Sequence, residues 1–121
     1  MRKLFTKAHW QRVLLGGSLL LSLPSGGLTA EVILVEQGGC YSCVRFEQEQ
    51  GDVFDLWFGN ELPLRRVDIH GRWPYRSTGV RRPMGTPTFI VVEEGKEIGR
   101  FAGYANSRLF WKKLDAVLAK R

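Results

Sequence analysis

Runs of apolar residues, separated by polar and turn-forming residues, divide the chain into strand-like and helix-like segments. Between the acids of EVILVE, the apolar run predicts a short buried strand, and the glycines that follow Gln37 end it. Two later apolar stretches flank the tight turn Glu94-Gly95-Lys96, which predicts a hairpin. The predicted strands cover residues 31–36, 64–69, 86–94 and 97–103.

Helical periodicity appears in two segments. The first helix is predicted to begin at Cys40 and to end at residues 59–60, with Gly51 as a weak point that kinks or splits it. The second begins at Asn106 or Ser107, since either side chain can cap it. The apolar positions are Val44, Phe46, Val53, Phe54, Leu56, Trp57 and Phe58 in the first helix, and Leu109, Phe110, Leu114, Val117 and Leu118 in the second.

The order of these elements predicts the fold class. A strand, a helix and a strand come first, and a hairpin and a helix follow after the irregular stretch 70–85. We interpret that stretch as a loop with one short helical turn. The order is typical of an α/β fold in which a mixed sheet of four strands is flanked by helices.

The first thirty residues differ from the rest of the chain. Four basic residues and no acid precede an apolar run, and small residues that end at Ala30 follow it. This order is typical of a secretory signal peptide, and the apolar run is shorter than the roughly 20 residues of a membrane span. We therefore predict a signal peptide over residues 1–30, a folded domain over residues 31–121 and a periplasmic location. An uncleaved N-terminal anchor is the alternative.

Most of the positive charge belongs to that leader. The chain has 18 Lys and Arg against 12 Asp and Glu, a net charge of +6, and four of the basic residues precede residue 31. The remaining domain, at +2, gives no reason to expect nucleic acid as a partner. Arginines still gather in residues 64–83, which form either a solvated basic loop or a docking patch for an acidic partner. They are Arg65, Arg66, Arg72, Arg76, Arg81 and Arg82.

The chain contains two cysteines, Cys40 and Cys43, in the stretch QGGCYSC. Their position at a predicted helix N-terminus favours a thiolate, because unpaired N–H groups and the helix dipole stabilise negative charge. Cys40 is predicted to be the exposed nucleophile, and Cys43, one turn further in, the resolving thiol. A disulfide closing so short a loop constrains the unfolded chain little, so a purely structural role is the weaker interpretation.

A metal site is the chief alternative for the same two sulfurs. A structural zinc site needs four ligands, but two thiolates can bind Cu(I), a soft ion. His70 is the only imidazole that residues 31–121 offer as a third ligand. A Cu(I)-handling module is therefore the second hypothesis. A redox-inert adaptor that docks through the arginine-rich loop is the third.

The stretch Gly85-Thr86-Pro87-Thr88-Phe89 contains the second feature of interest. Pro87 opens an apolar strand, and proline is tolerated at a strand's start or edge because it has no N–H to donate. Two interpretations stay open from the residues alone. The bond is an ordinary trans bond that begins the strand, or it is a cis Thr86–Pro87 bond that lies against the cysteines and exposes the Thr86 main chain to an incoming peptide.

These motifs together resemble the thioredoxin-fold oxidoreductases. The resemblance rests on the leading strand, CxxC at a helix start, the TPTF strand and the hairpin–helix ending, and it covers residues 31–119. Within that superfamily, the stretches PLRRVDIH and GTPTFIVVEEGKEIGRFAGY are similar to the small periplasmic thioredoxins of sulfur-oxidation (Sox) systems. The resemblance implies that Cys40 and Cys43 are the redox pair and that Pro87 is the cis proline. It also implies that Gly103 is the glycine that the family has before the last helix.

Departures from ordinary thioredoxins bear on the chemistry. Gly39, Tyr41 and Ser42 stand in place of the usual WCGPC residues, and Leu34 occupies the position of the family's buried acid. Glu36 is then the nearest acidic candidate for proton transfer to the resolving thiol.

The resemblance also predicts the substrate site and the partners. Gly39, Tyr41, Thr86 and Pro87 are the predicted substrate-binding residues. The partners are protein thiols and disulfides, including sulfur-oxidation proteins, and a membrane-borne electron donor. The protein is predicted to act as a monomer, without a cofactor or a metal.

Overall fold

The computed structural model describes residues 30–121. Their central sheet combines parallel and antiparallel strand pairs. β1 (Ala30–Glu36) runs parallel to β2 (Leu64–Asp68) and antiparallel to β3 (Thr88–Glu93), which pairs antiparallel with β4 (Lys96–Ala102). The strand order β2-β1-β3-β4 confirms the predicted mixed four-stranded sheet. The predicted leader, residues 1–30, lies outside the described residues except for Ala30.

One long helical segment follows β1, and its middle changes hydrogen-bond pattern. α1 (Tyr41–Phe46) continues into a π-helical segment (Glu47–Gly51) and then into α2 (Asp52–Phe58). The predicted break at Gly51 therefore takes the form of a π-helical turn rather than a kink between two separate helices. A Cβ on Gly51 would approach the Glu47 Oε1 atom to 2.6 Å, so glycine makes room for that carboxylate.

The second predicted helix is α3 (Ser107–Leu118), and Asn106 caps it. The Asn106 side chain accepts a hydrogen bond from the Leu109 N–H at 2.8 Å, as an N-cap residue does. The short helical turn predicted for the loop is a 3₁₀ turn at Arg76–Thr78. Within residues 30–121, none of the helices has the length and apolar character to cross a membrane.

The start of β3 is the main correction to the predicted strands. The strand begins at Thr88 rather than at residue 86, so Thr86 and Pro87 lie in the turn that precedes it. Pro87 has no N–H for a sheet ladder, and only its carbonyl takes part, accepting from the Gly103 N–H at 2.8 Å. The other strand ends match the prediction or differ from it by one residue.

Side chains of β1 alternate between the two faces of the sheet, and each face has its own core. Val32 and Leu34 join the helix face, which the helices cover. Ile33 and Val35 join the loop face, which residues 69–80 cover with Trp73, Tyr75 and Val80. Four predicted apolar positions of the first helix are exposed rather than in the core. Leu56 is 82% and Trp57 72% exposed, and Val44 and Val53 are 52% and 36% exposed.

Candidate active site

The two cysteines form a disulfide at the start of α1. Cys40 is the N-cap residue, and its Sγ accepts a hydrogen bond from the Cys43 N–H at 3.2 Å. Gly39 has a φ of +80°, a left-handed conformation that glycine adopts easily, and it turns the chain from β1 into the helix. Cys40 is partly exposed, whereas Cys43 is only 4% exposed. Cys40 is therefore the more exposed of the two cysteines.

Two predicted substrate-binding residues lie beside Cys40 in the chain. Tyr41 is 76% exposed, and Gly39 is also exposed. A Cβ on Gly39 would meet no atom within 4 Å, so the approach to the disulfide is open there. The Tyr41 ring is therefore free to contact a bound chain rather than to pack in the core.

The Thr86–Pro87 bond is cis, which confirms one of the two interpretations of the TPTF stretch. Val35 of β1 pairs with Thr88 of β3, so this turn and the segment that leads to Cys40 lie at the same edge of the sheet. A hydrogen bond of 2.9 Å from Gln37 Nε2 to Thr86 Oγ1 joins the two segments. Among residues 30–121, no main-chain hydrogen bond uses the Thr86 N–H or carbonyl.

A groove of about 430 Å³ runs beside Cys43, and the carboxyl groups of two glutamates and one aspartate line it together with an arginine. Arg66 donates from Nε and Nη2 to the Glu47 carboxylate at 2.6 and 2.9 Å. Glu36 hydrogen-bonds to Glu47 from the end of β1. The groove therefore brings Glu36, the predicted proton-transfer group, to the same cavity as the buried sulfur.

The carboxyl groups of Glu36 and Glu47 differ in acidity. Burial, the hydrogen bond with Glu47 and the negative charge of Glu47 raise the pKa of Glu36 to about 7. Burial acts in the same direction on Glu47, but hydrogen bonds from Arg66 and Glu36 outweigh it and lower the pKa of Glu47. The pair therefore has one carboxyl group that exchanges its proton near neutral pH and one that stays ionised.

Sequence reasoning found Glu36 but missed Glu47, and it assigned Arg66 to a basic loop rather than to this groove. Two signals were available: Glu47 lies one helical turn after Cys43, and Arg66 lies on the strand that runs parallel to β1. Leu34, at the position of the family's buried acid, is fully buried in the apolar core of the helix face. The ionisable group, Glu36, instead lies two residues further along the same face of β1, at the rim of the groove.

His70 does not complete a metal site with the cysteines. Its Nε2 lies 2.8 Å from Gln37 Oε1, and its main-chain N–H donates to Asp68 Oδ1 at 2.7 Å. In the described part of the chain, no three His, Cys, Asp or Glu side chains are grouped to hold a metal ion. The copper hypothesis therefore gains no support from the arrangement of ligands.

The arginines of residues 64–83 divide into two groups. Arg66 pairs with Glu47, Arg65 lies over the Tyr75 ring, and Arg82 donates to the carbonyls of residues 69 and 71. These three side chains hold the loop and the groove in place. Exposed guanidinium groups remain along the loop at Arg72, Arg76 and Arg81.

Comparisons with solved structures find the same architecture in thioredoxins. The periplasmic thioredoxin SoxS of Paracoccus pantotrophus is 26% identical, with a TM-score of 0.67 over 75% of this chain and 97% of that one. A Fasciola hepatica thioredoxin is 19% identical, with a TM-score of 0.58 over 73% and 80% of the two chains. Thioredoxin-2 of the malaria parasite is also 19% identical, with a TM-score of 0.56 over 87% and 99%. Comparisons with protein-family models and with curated sequences gave no match.

The fold and the site agree on a coarse assignment. The chain has a thioredoxin-like fold, a CxxC disulfide at the start of a helix and a cis proline at the same sheet edge. Solved thioredoxins share this fold with it. The protein is a thioredoxin-like thiol–disulfide oxidoreductase.

Proposed function

We propose that this thioredoxin-like protein is exported to the periplasm and there reduces a disulfide or a cysteine adduct of a partner protein. The likeness to a periplasmic thioredoxin, SoxS, supports the location, as does the signal-like leader of the sequence. The resemblance of its sequence to the thioredoxins of sulfur-oxidation systems favours a partner in such a pathway. The observation that carries the proposal is the disulfide at the helix start, between the partly exposed Cys40 and the buried Cys43.

The reaction is a two-electron exchange between dithiol and disulfide. The Cys40 thiolate attacks one sulfur of the partner disulfide, forming a mixed disulfide and releasing the other sulfur as a thiolate that takes up a proton. Cys43 loses its proton and attacks the Cys40 sulfur, which releases the partner's second thiol. The partner gains two electrons and two protons, and Cys40–Cys43 becomes a disulfide.

Glu36 is the proposed proton acceptor for Cys43. Both residues line the same groove, and a pKa of about 7 lets the Glu36 carboxyl group take or return a proton near neutral pH. The Glu47–Arg66 pair holds the neighbouring charge in place. Glu36 thus takes the proton-transfer role of the family's buried acid, because Leu34, the residue at that position, cannot ionise.

The substrate groove lies between the first turn of α1 and the cis-proline turn. The free main-chain groups of Thr86 can pair with an extended peptide, as an added strand pairs with a sheet edge. Pro87 shapes the turn, and Gly39 leaves space for the partner sulfur to reach Cys40. The exposed Tyr41 ring supplies apolar contact beside the reacting sulfurs.

Electrons reach the oxidised protein from a membrane-borne donor, because cytosolic reductants do not enter the periplasm directly. The chemistry needs the two cysteines alone, so we propose no cofactor and no resident metal. The protein acts as a monomer, since the Cys40–Cys43 exchange uses residues of a single chain.

The test is capture of the partner in the periplasm. Cys43→Ser removes the resolving thiol, so a mixed disulfide between Cys40 and the partner should accumulate and be visible on a non-reducing gel. Cys40→Ser is the matched control, because it keeps one cysteine but loses the accessible nucleophile. Absence of any captured protein with both variants would contradict the exchange mechanism, and capture by Cys40→Ser alone would reverse the two roles.

A further inference from the structure

Three segments meet at the redox end of the sheet and are joined by one chain of polar contacts. Gln37 follows β1, His70 follows β2, and Thr86 precedes β3. His70 Nε2 lies 2.8 Å from Gln37 Oε1, and Gln37 Nε2 donates to Thr86 Oγ1 at 2.9 Å. The main-chain N–H of His70 donates in turn to Asp68 Oδ1 at 2.7 Å. Gln37 is the middle link, since its amide contacts both neighbours.

The direction of these bonds determines what Thr86 can offer. An amide nitrogen can only donate, so the Thr86 hydroxyl oxygen is the acceptor in its bond with Gln37. The amide oxygen of Gln37 then takes the N–H of the His70 ring, in the tautomer with the proton on Nε2. The Thr86 hydroxyl therefore keeps its own proton, and this O–H can donate to another group.

The flanks of the turn are held by other bonds, none of which fixes the Thr86 side chain. The Thr88 hydroxyl donates to the Gly85 carbonyl at 2.7 Å, and the Gly103 N–H donates to the Pro87 carbonyl at 2.8 Å. Both bonds hold the main chain on either side of Thr86. Across the part of the chain described here, Gln37 is the only side chain whose hydrogen bond reaches the Thr86 hydroxyl.

We infer that Gln37 is a positioning residue that orients Thr86 for an extended polypeptide and so favours protein disulfides over small ones. A polypeptide that lies along the turn can use the free main-chain groups of Thr86 and the hydroxyl proton that Gln37 leaves available. A small disulfide has no extended main chain that could pair with those groups. This inference rests on the proposed function and adds a residue, Gln37, whose contact with Thr86 makes the site select for polypeptide disulfides.

The experiment compares Gln37→Leu with the wild type on two disulfides. The pre-reduced protein reacts in single turnovers with insulin, a polypeptide disulfide, or with hydroxyethyl disulfide, and acid quenching followed by alkylation gives the rates. One lost hydrogen bond is worth about 0.5–1.5 kcal/mol, so the second-order rate constant on insulin should fall about 2.3- to 12-fold. The rate on hydroxyethyl disulfide should stay within about 2-fold of the wild type.

Two further variants separate positioning from a general loss of structure. Thr86→Val removes the hydroxyl at nearly constant shape, and Gln37→Leu combined with Thr86→Val should lose no more on insulin than either single change, because both remove one interaction. Thr86→Ser, which keeps the hydroxyl, should retain most of the wild-type rate. Asn60→Leu, which alters an exposed amide beyond the end of α2, controls for surface change.

The outcomes distinguish this inference from the proposed function. An equal loss on both disulfides, additive losses in the double variant, or no loss on insulin would each overturn the role of Gln37. A wild-type protein that reduces neither disulfide, and whose Cys43→Ser variant captures nothing, would overturn the proposed function instead. Melting curves of every variant show whether a lower rate reflects unfolding.

Discussion

The two faces of the sheet are closed by different means. The helix face is packed with aromatic rings, and the Phe110 ring at its centre lies 5.0 Å from those of Phe46 and Phe89. The loop face is covered by a segment with one 3₁₀ turn as its only helix. Directed bonds hold that segment: Trp73 Nε1–H donates to the Val80 carbonyl at 2.7 Å, and the Tyr75 hydroxyl donates to Glu31 at 3.1 Å.

The difference shows two ways of covering a sheet with few residues. Aromatic burial is non-directional and large, so the helix face carries most of the stability. A loop has few backbone bonds of its own, and polar side chains must tie it to its neighbours. Because the loop continues directly into the Thr86–Pro87 turn, its anchors also bear on the geometry of the redox end.

The largest expected effect is on the helix face. Phe110→Ala removes a ring that is 2% exposed and contacts several other rings, so the free energy of unfolding should fall by about 3–5 kcal/mol. Urea denaturation followed by circular dichroism measures it. Leu109→Ala, at a neighbouring position that is 36% exposed, should cost about 1 kcal/mol or less. Equal losses in the two variants would show that the aromatic core does not dominate.

A smaller effect is expected on the loop face. Trp73→Phe keeps an aromatic ring but leaves the Val80 carbonyl without its donor, which should lower the free energy of unfolding by about 1–3 kcal/mol. Hydrogen exchange should show residues 69–80 opening before the sheet does. Trp57→Phe is the matched control, because Trp57 is 72% exposed, and it should change stability by at most about 0.5 kcal/mol. If hydrogen exchange in residues 69–80 is the same in Trp73→Phe and wild type, this bond does not anchor the loop.

The smallest effect concerns Glu36, on the polar rim of the helix face. Its pKa rises from 4.5 to about 7 on folding, chiefly through burial, so the folded state holds a proton that the unfolded state releases between those values. The resulting stability is complete below pH 4.5 and is lost as the pH rises through about 7. Glu36→Gln cannot ionise, so it should gain on the order of 1 kcal/mol relative to wild type on going from pH 5 to pH 8, after allowance for solvent screening.

Melting temperatures of Glu36→Gln and wild type at several pH values between 5 and 8 measure this difference. Glu61→Gln, which changes an exposed carboxylate before β2, is the control and should follow the wild-type curve. Parallel curves for Glu36→Gln and wild type would mean that Glu36 is ionised throughout this range. The proposed proton acceptor would then have to be another group.

Much of the fold could be predicted because its signals are local. The strands show as apolar runs bounded by turns, and Asn106 marks the start of α3 by its capping side chain. The position of the CxxC motif at a helix start, with Cys43 more buried than Cys40, also follows from local helix geometry. The start of β3 was placed two residues early, because the apolar pattern does not show where Pro87 stops contributing to the ladder.

The candidate site could be predicted only in part. Residue type alone indicates the chemistry of Cys40, Cys43 and the Thr86–Pro87 pair. Glu36 was identified because it is an acidic residue close to the cysteines in sequence. The link between Glu47 and Arg66 was missed because it depends on a helix and a strand packed side by side. The same holds for the contacts of Gln37 with His70 and Thr86, which are 33 and 49 residues away.

The sequence by itself determined the order of strands and helices, the redox pair and the proline beside it, because propensity, periodicity and short spacing act over a few residues. Tertiary structure alone decided which distant polar groups meet at the carboxyl ends of β1 and β2. It also decided that a loop, rather than a helix, closes the second face, and that the Thr86–Pro87 bond is cis. Such outcomes depend on burial and hydrogen bonding between segments that come together only after the chain has folded.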